Sequence, residues 1–129
     1  MLIPITTNIS FVKAPNKANF PYCNGLYIED EQNVLIDTSF SQSTIDKLNK
    51  KGVDLLINTH FHEDHMLNNN LFPDAQILIH TLDAPAIKSM KAFTDYYGFN
   101  EPDTIQLGID FINNLNLEFS RVDREIIAD

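Results

Sequence analysis

The chain is poor in the features that staple or anchor a small protein. It has one cysteine, Cys23, so no disulfide closes within it and nothing points to an oxidising compartment. No apolar run approaches the ~20 residues that span a bilayer. The opening Met1-Leu2-Ile3-Pro4-Ile5-Thr6-Thr7 lacks the basic flank and the apolar length of a secretion signal, and a cytoplasmic location is the expectation. Positive charge is also scarce. Nine Lys and Arg against 18 Asp and Glu leave a formal net charge of −9. Phosphate backbones are bound by clustered basic residues, and here these come only in small groups such as Lys47, Lys50 and Lys51, so no nucleic-acid partner is expected. No internal repeat, low-complexity tract or linker interrupts the chain, and 129 residues suit a single domain over 1–129.

What is present is a mixed α/β pattern. Ile3 to Val12 is extended and β-branched, enough for one or two strands, and Ala14 to Asn19 is turn-rich. Leu26-Tyr27-Ile28 and Val34-Leu35-Ile36 flank a polar turn and read as a hairpin. Ser41 or Ser43 caps a helix carrying Ile45 and Leu48, which Gly52 ends. Val53 to Ile57 is nearly continuous in apolar residues and reads as a strand buried on both faces, making a βαβ unit with parallel pairing. Further on, Met66 to Leu71 suits a short helix and Gln76 to Ile79 a strand ending at His80. Thr81 or Asp83 then caps a helix with Pro85 in its first turn, running to Phe93. A last helix starts near Asp103, with Ile105, Ile109, Ile112 and Leu115 on one face, and Glu125-Ile126-Ile127 opens another strand.

Three of the four histidines fall within Thr59-His60-Phe61-His62-Glu63-Asp64-His65, directly after the apolar strand. Imidazole nitrogens and a carboxylate are ligands for Zn²⁺ and similar ions. In extended backbone, residues two apart point the same way, so His60 and His62 can reach one ion. Asp64 and His65 are displaced to one side and can reach a second. Phe61 and Glu63 then point away, toward packing and solvent respectively. Two ions ~3.5–4 Å apart hold a hydroxide at neutral pH and polarise the group it attacks.

His60-x-His62-x-Asp64-His65 resembles the metal-binding motif of the metallo-β-lactamase superfamily, in its place after a hydrophobic strand. Asn24-Gly25-Leu26-Tyr27-Ile28 and Val34-Leu35-Ile36-Asp37-Thr38 resemble that family's early strand pair, with Ser39 where a glycine is expected. The resemblance runs from about Ile3 to Phe93. It implies the N-terminal half of a four-layer αββα sandwich with a one- or two-metal hydrolytic site at one edge. His60 and His62 are then ligands of the first metal, and Asp64 and His65 of the second. The resemblance also makes Asp64 the catalytic residue that orients the nucleophilic water and carries a proton. Zinc is the implied ion, with iron or manganese as further possibilities, and the implied substrate is a small molecule: an ester, thioester, lactam or phosphoester.

The rest of the family's ligand set lies downstream of this motif and is not found here, His80 being the only other histidine. Two ligands per ion fall short of the three usual for catalytic zinc. The expectation is an incomplete domain that is inactive alone, and the unfinished look of 126–129 fits a fragment. Other readings are a non-catalytic interaction domain or a di-iron redox relative. Half a paired-sheet sandwich exposes its inner apolar face, so self-association or a complementary second half is expected to cover it.

The remaining candidates stay open. Asp37 is either a support for the metal loop or a turn aspartate closing the hairpin. His80 lines the cleft or is a loop histidine, Asp83 reads as a helix cap, and Cys23, with no cation adjacent in sequence, as a buried thiol. Phe11 to Tyr22 is a flap or a plain loop, and Tyr96, Tyr97 and Phe99 a substrate wall or packing.

Overall fold

A computed structural model describes residues 1–127; Ala128 and Asp129, part of the terminal stretch read above, lie outside the described residues. Seven strands form one sheet in chain order: β1 (Leu2–Pro4), β2 (Ile9–Val12), β3 (Gly25–Ile28), β4 (Val34–Ile36), β5 (Leu55–Ile57), β6 (Gln76–His80) and β7 (Arg124–Ile126). The first three pairings are antiparallel and the last three parallel, the change falling at β4–β5 where the helical connections begin. The helices are α1 (Gln42–Lys51), α2 (Glu63–Met66), α3 (Ala84–Lys88), α4 (Met90–Tyr96) and α5 (Pro102–Leu115). Among the described residues no helix is long and apolar enough to cross a membrane.

Local signals explain most of these elements. The Ser41 hydroxyl accepts from the Thr44 N–H, and the Gly52 N–H closes on the Leu48 carbonyl with φ at 97°, a conformation glycine adopts without a steric cost. Asp54 fixes the β3–β4 hairpin to the sheet by accepting from the Asn33 N–H at 2.7 Å.

Strand register places Tyr27, Leu35, Leu56 and Ile77 side by side on one face, each fully buried. Ile45 and Leu48 of α1, Met66 of α2, Ile87 of α3, Phe93 of α4 and Ile112 of α5 join them in a single core. All the helices therefore cover the same face. A monotonic strand order produces this when successive crossovers share one hand. The other face carries Ile9, Phe11, Leu26, Ile28, Val34, Ile36, Leu55 and Ile57, and none of these belongs to the core cluster.

The structure corrects four sequence-level expectations. β5 is sealed on one face only: Leu56 is buried while Leu55 and Ile57 stay half-buried, since none of the core cluster lies on the second face. The helix expected to run to Phe93 is two. Ser89 is extended (φ −146°, ψ 145°) and its hydroxyl caps α4 by accepting from the Ala92 N–H, a local bond that competes with helix continuation. Asp83 sits at the start of α3 without a capping bond from its side chain. In α5, Ile105 stays exposed and the buried positions are Gly108 and Ile112. A Cβ at Gly108 would stand 3.0 Å from both Thr94 Cγ2 and Phe99 Cβ, so a bare backbone lets α5 approach α4.

Candidate metal centre

The site forms at the carboxyl ends of β4 and β5. Asp37 follows β4 with φ at 62°, a left-handed conformation that Asp tolerates better than most residues, and its carboxylate turns toward the loop after β5. It is 3% exposed. Oδ1 accepts from the Thr59 N–H at 2.9 Å, and the Thr59 hydroxyl donates to Oδ2 at 2.9 Å. The same Oδ2 lies 2.8 Å from His65 Nδ1. Of the two readings of Asp37, the structure realises the support for the loop.

This network fixes the imidazoles. A carboxylate only accepts, so His65 Nδ1 carries the proton and Nε2 faces away from Asp37. The Thr59 hydroxyl spends its proton on Asp37, so His60 Nδ1, 2.9 Å from that oxygen, donates to it. In neutral His60 the Nε2 lone pair is then free. The His60 ring centroid lies 4.6 Å from that of His62 and 4.1 Å from that of His65. Asp64 Oδ1 stands 3.8 Å from His65 Nε2, on the edge opposite Asp37. Burial, then the charges of His65 and His62, push the His60 pKa down, which keeps its ring neutral and able to ligate. Without an ion, the hydrogen bond that His65 donates to Asp37 and then the nearby Cys23 sulfur push the His65 pKa up to about 10. An ion on Nε2 must displace that proton.

The backbone beneath the motif is held by a buried amide and hydroxyl network that sequence patterning did not single out. The His65 carbonyl accepts from the Thr38 N–H at 3.0 Å and from Asn58 Nδ2 at 3.2 Å. Asn58 and Asn69 pair through Asn69 Nδ2 and Asn58 Oδ1 at 2.7 Å, and Asn69 Oδ1 accepts from the Thr38 hydroxyl. Among the described residues no buried side-chain nitrogen or oxygen lacks a partner, as a low-dielectric polar cluster requires. Ser39 fits this arrangement, fully buried with its hydroxyl accepting from the Leu67 N–H.

Glu63 does not face solvent. It is 7% exposed and accepts from the Tyr97 hydroxyl at 2.7 Å. Tyr97 also stacks on His62, with ring centroids 5.5 Å apart, and Phe61 packs edge-on against Phe93, Tyr96 and Tyr97. Tyr96 and Tyr97 of the aromatic connector thus pack on Phe61, and Tyr97 holds a motif histidine. Burial and then Glu63 push the Tyr97 pKa up, so its hydroxyl keeps the proton it donates. The run H-E-D-H gave no hint of this, because the partner lies 34 residues away.

Other candidates fall outside the cluster. His80 ends β6 at the same edge of the sheet, but its Nδ1 accepts from the Leu82 N–H and its ring shares none of the contacts joining His60, His62 and His65. The 11–22 segment is tied down by Phe20 stacking on Phe111 and by Asn24 accepting from the Ala14 N–H. Cys23 is a buried thiol, as expected, and its sulfur lies beside the His65 imidazole. A Cys23 sulfur, an Asp37 oxygen and a His65 ring nitrogen lie within 4.8 Å of one another.

The sequence model of the metallo-beta-lactamase superfamily matches residues 18–122. No curated protein matches. Similar solved structures include BJP-1, a subclass B3 metallo-beta-lactamase of Bradyrhizobium japonicum, at 22% identity over 97% of this chain and 44% of that one, TM-score 0.57. They also include the mono-zinc form of the metallo-beta-lactamase FIM-1 from Pseudomonas aeruginosa, at 18% identity over 66% of this chain and 43% of that one, TM-score 0.52. A third is rubredoxin oxygen:oxidoreductase from Desulfovibrio gigas, at 18% identity over 78% of this chain and 29% of that one, TM-score 0.50. The chain spans less than half the length of each, and these likenesses show the fold.

Proposed function

The chain belongs to the metallo-beta-lactamase superfamily, and from that premise we propose that it supplies the first half of a metal-dependent hydrolytic centre. The supporting observation is the gathering of the His60 ring with those of His62 and His65, the Nδ1 atoms of His60 and His65 engaged by Thr59 and Asp37 and Asp64 beside His65 Nε2. The donor set fits zinc, and its imidazole and carboxylate groups also suit iron or manganese. His60 and His62 hold one ion; Asp64 and His65 hold a second. Bound there, a divalent ion supplies Lewis acidity and lowers the pKa of a coordinated water.

The chain's own residues do the rest. Asp37 sets the His65 tautomer and ring angle, a carboxylate–imidazole arrangement that raises ligand basicity. Thr59 does the same for His60, and Tyr97 holds His62 by stacking. Asp64, partly exposed, carries the proton destined for the leaving group. The substrate class is an ester, thioester, lactam or phosphoester. Two ligands per ion leave each site one short of the usual three, so turnover requires donors from a complementary half. A second copy, or that half, also covers the bare sheet face. Iron redox chemistry is the second reading. It is favoured by the carboxylate–imidazole donors and by the fold likeness to an oxidoreductase.

Metal analysis of the purified chain against His60→Ala plus His62→Ala tests the site. Less zinc or iron per chain in the double variant than in the wild type is expected; equal metal content in both would overturn it. Robust ester hydrolysis by the chain alone would sink the half-site reading, and a well-behaved monomer in light scattering would sink the proposed covering of the bare face.

A further inference from the structure

Three elements distant in sequence bring a soft donor, a hard donor and an imidazole together behind the motif. Cys23 precedes β3, Asp37 follows β4 and His65 lies in α2. The Cys23 N–H donates to the Ser39 carbonyl at 3.2 Å, which holds the thiol beside the Asp37 turn. Among the described residues this is the one group of three such donors whose ligand atoms all lie within 4.8 Å of one another.

We propose that Cys23 Sγ, an Asp37 carboxylate oxygen and His65 Nδ1 form a distinct site for a thiophilic divalent cation such as Zn²⁺ or Co²⁺.

The dimensions suit it. Around a tetrahedral zinc with its usual bond lengths, donor atoms stand about 3.3–3.7 Å apart. The existing cluster brackets that range, with Asp37 Oδ2 and His65 Nδ1 at 2.8 Å and the full set within 4.8 Å. An ion enters where the shared proton now sits and spreads the pair by about half an ångström toward those spacings. Coordination takes the thiol as thiolate, releasing its proton and the Nδ1 proton to solvent. Three protein ligands leave a fourth position for water.

Chemistry and burial also favour this place. Thiolate and carboxylate carry two negative charges against the ion's two positive ones. Cys23 is 7% exposed and Asp37 3% exposed, so that compensation acts where water screens it little. Thiolate selects zinc-like ions over magnesium and calcium. The inference is separable from the motif reading: Asp37, one of the new donors, meets the Nδ1 edge of His65, while Asp64 faces Nε2. The two sites compete for one imidazole, so an ion on Nδ1 draws His65 out of the motif.

The probe is Co²⁺ titrated into the full chain, read by the near-ultraviolet charge-transfer band from thiolate sulfur to cobalt. With one cysteine in the chain, such a band has one source. The expected result is a band in the wild type that saturates at one Co²⁺ per chain and is displaced by Zn²⁺. It persists in His60→Ala plus His62→Ala and is lost in Cys23→Ser. Absence of the band in the wild type overturns the site without recourse to any variant. Saturation at half an ion per chain overturns it too, since two chains would then share the ion. Loss of the band in a double variant with unchanged circular dichroism overturns its independence from the motif. Failure of the motif reading is scored separately, by the double variant's total metal content.

Discussion

On one face of the sheet Tyr27, Leu35, Leu56 and Ile77 stand in register and none is exposed; on the other, Leu26, Ile36, Ile57 and Leu78 form a similar row that is buried at Leu78 but opens outward until Leu26 is 36% exposed. The two rows are of comparable apolar character. What separates them is where the connections run, because every helical crossover lays its apolar stripe on the first face. The metal-centre residues sit at the edge these faces share, and a cavity of about 270 Å³ lined by Phe11, Leu26, Ile36, Asp37 and Thr59 links the bare face to the site's supporting aspartate. An apolar strand pattern therefore announces what a face can bury, and the connections decide whether it is buried.

The largest expected effect lies on the covered face. Leu56→Ala should cost about 2–5 kcal/mol in urea unfolding of the dilute chain, through lost burial and a residual cavity. At the shared edge, Asp37→Asn keeps a residue that tolerates positive φ but cannot accept as a carboxylate does from His65. A loss of about 1–3 kcal/mol is expected.

The same variant carries the pH signature. In the metal-free chain His65 titrates at about 10 rather than 6.5. A raised folded-state value means the stabilisation is complete below about 6.5, declines above it and is gone once the pH has passed about 10. The unfolding midpoint of the chelated wild type should fall across that window, and that of Asp37→Asn should fall less; parallel profiles would remove the ion pair from the account.

Tyr97→Phe leaves Glu63 buried without its donor, and a cost of about 1–2 kcal/mol is expected, with weaker metal retention as His62 loses part of its anchorage. The smallest effect belongs to the bare face: Leu26→Ala should cost less than about 1 kcal/mol in the dilute chain. A Leu26→Ala loss equal to that of Leu56→Ala would erase the distinction between the faces.

Much of this was readable along the chain. The β3–β4 hairpin, the βαβ unit, the Ser41 cap and the strand into His80 all follow signals within a few residues, where hydrophobic period and turn chemistry act. The motif was legible for the same reason, its donors being close in sequence. The break at Ser89 was missed because a serine inside a helical period reads as tolerated until its hydroxyl is seen capping α4. Gly108 was missed because a glycine's value lies in the residue facing it, here Thr94 and Phe99. The apolar period of α5 overstated Ile105, since only part of a helix stripe finds a surface to cover.

The sequence by itself determined the kind of chemistry on offer: three imidazoles and a carboxylate on one short loop after an apolar strand, in a family whose members use such loops for metal. Only the tertiary structure decided how those groups are held. It set Asp37 against His65, Tyr97 against Glu63 and His62, and the thiol of Cys23 beside both Asp37 and His65. It also decided which apolar face of the sheet is covered. The reason is physical: backbone period and turn preference act over a few residues, whereas a hydrogen bond or donor cluster forms between whichever side chains the fold brings within a few ångströms.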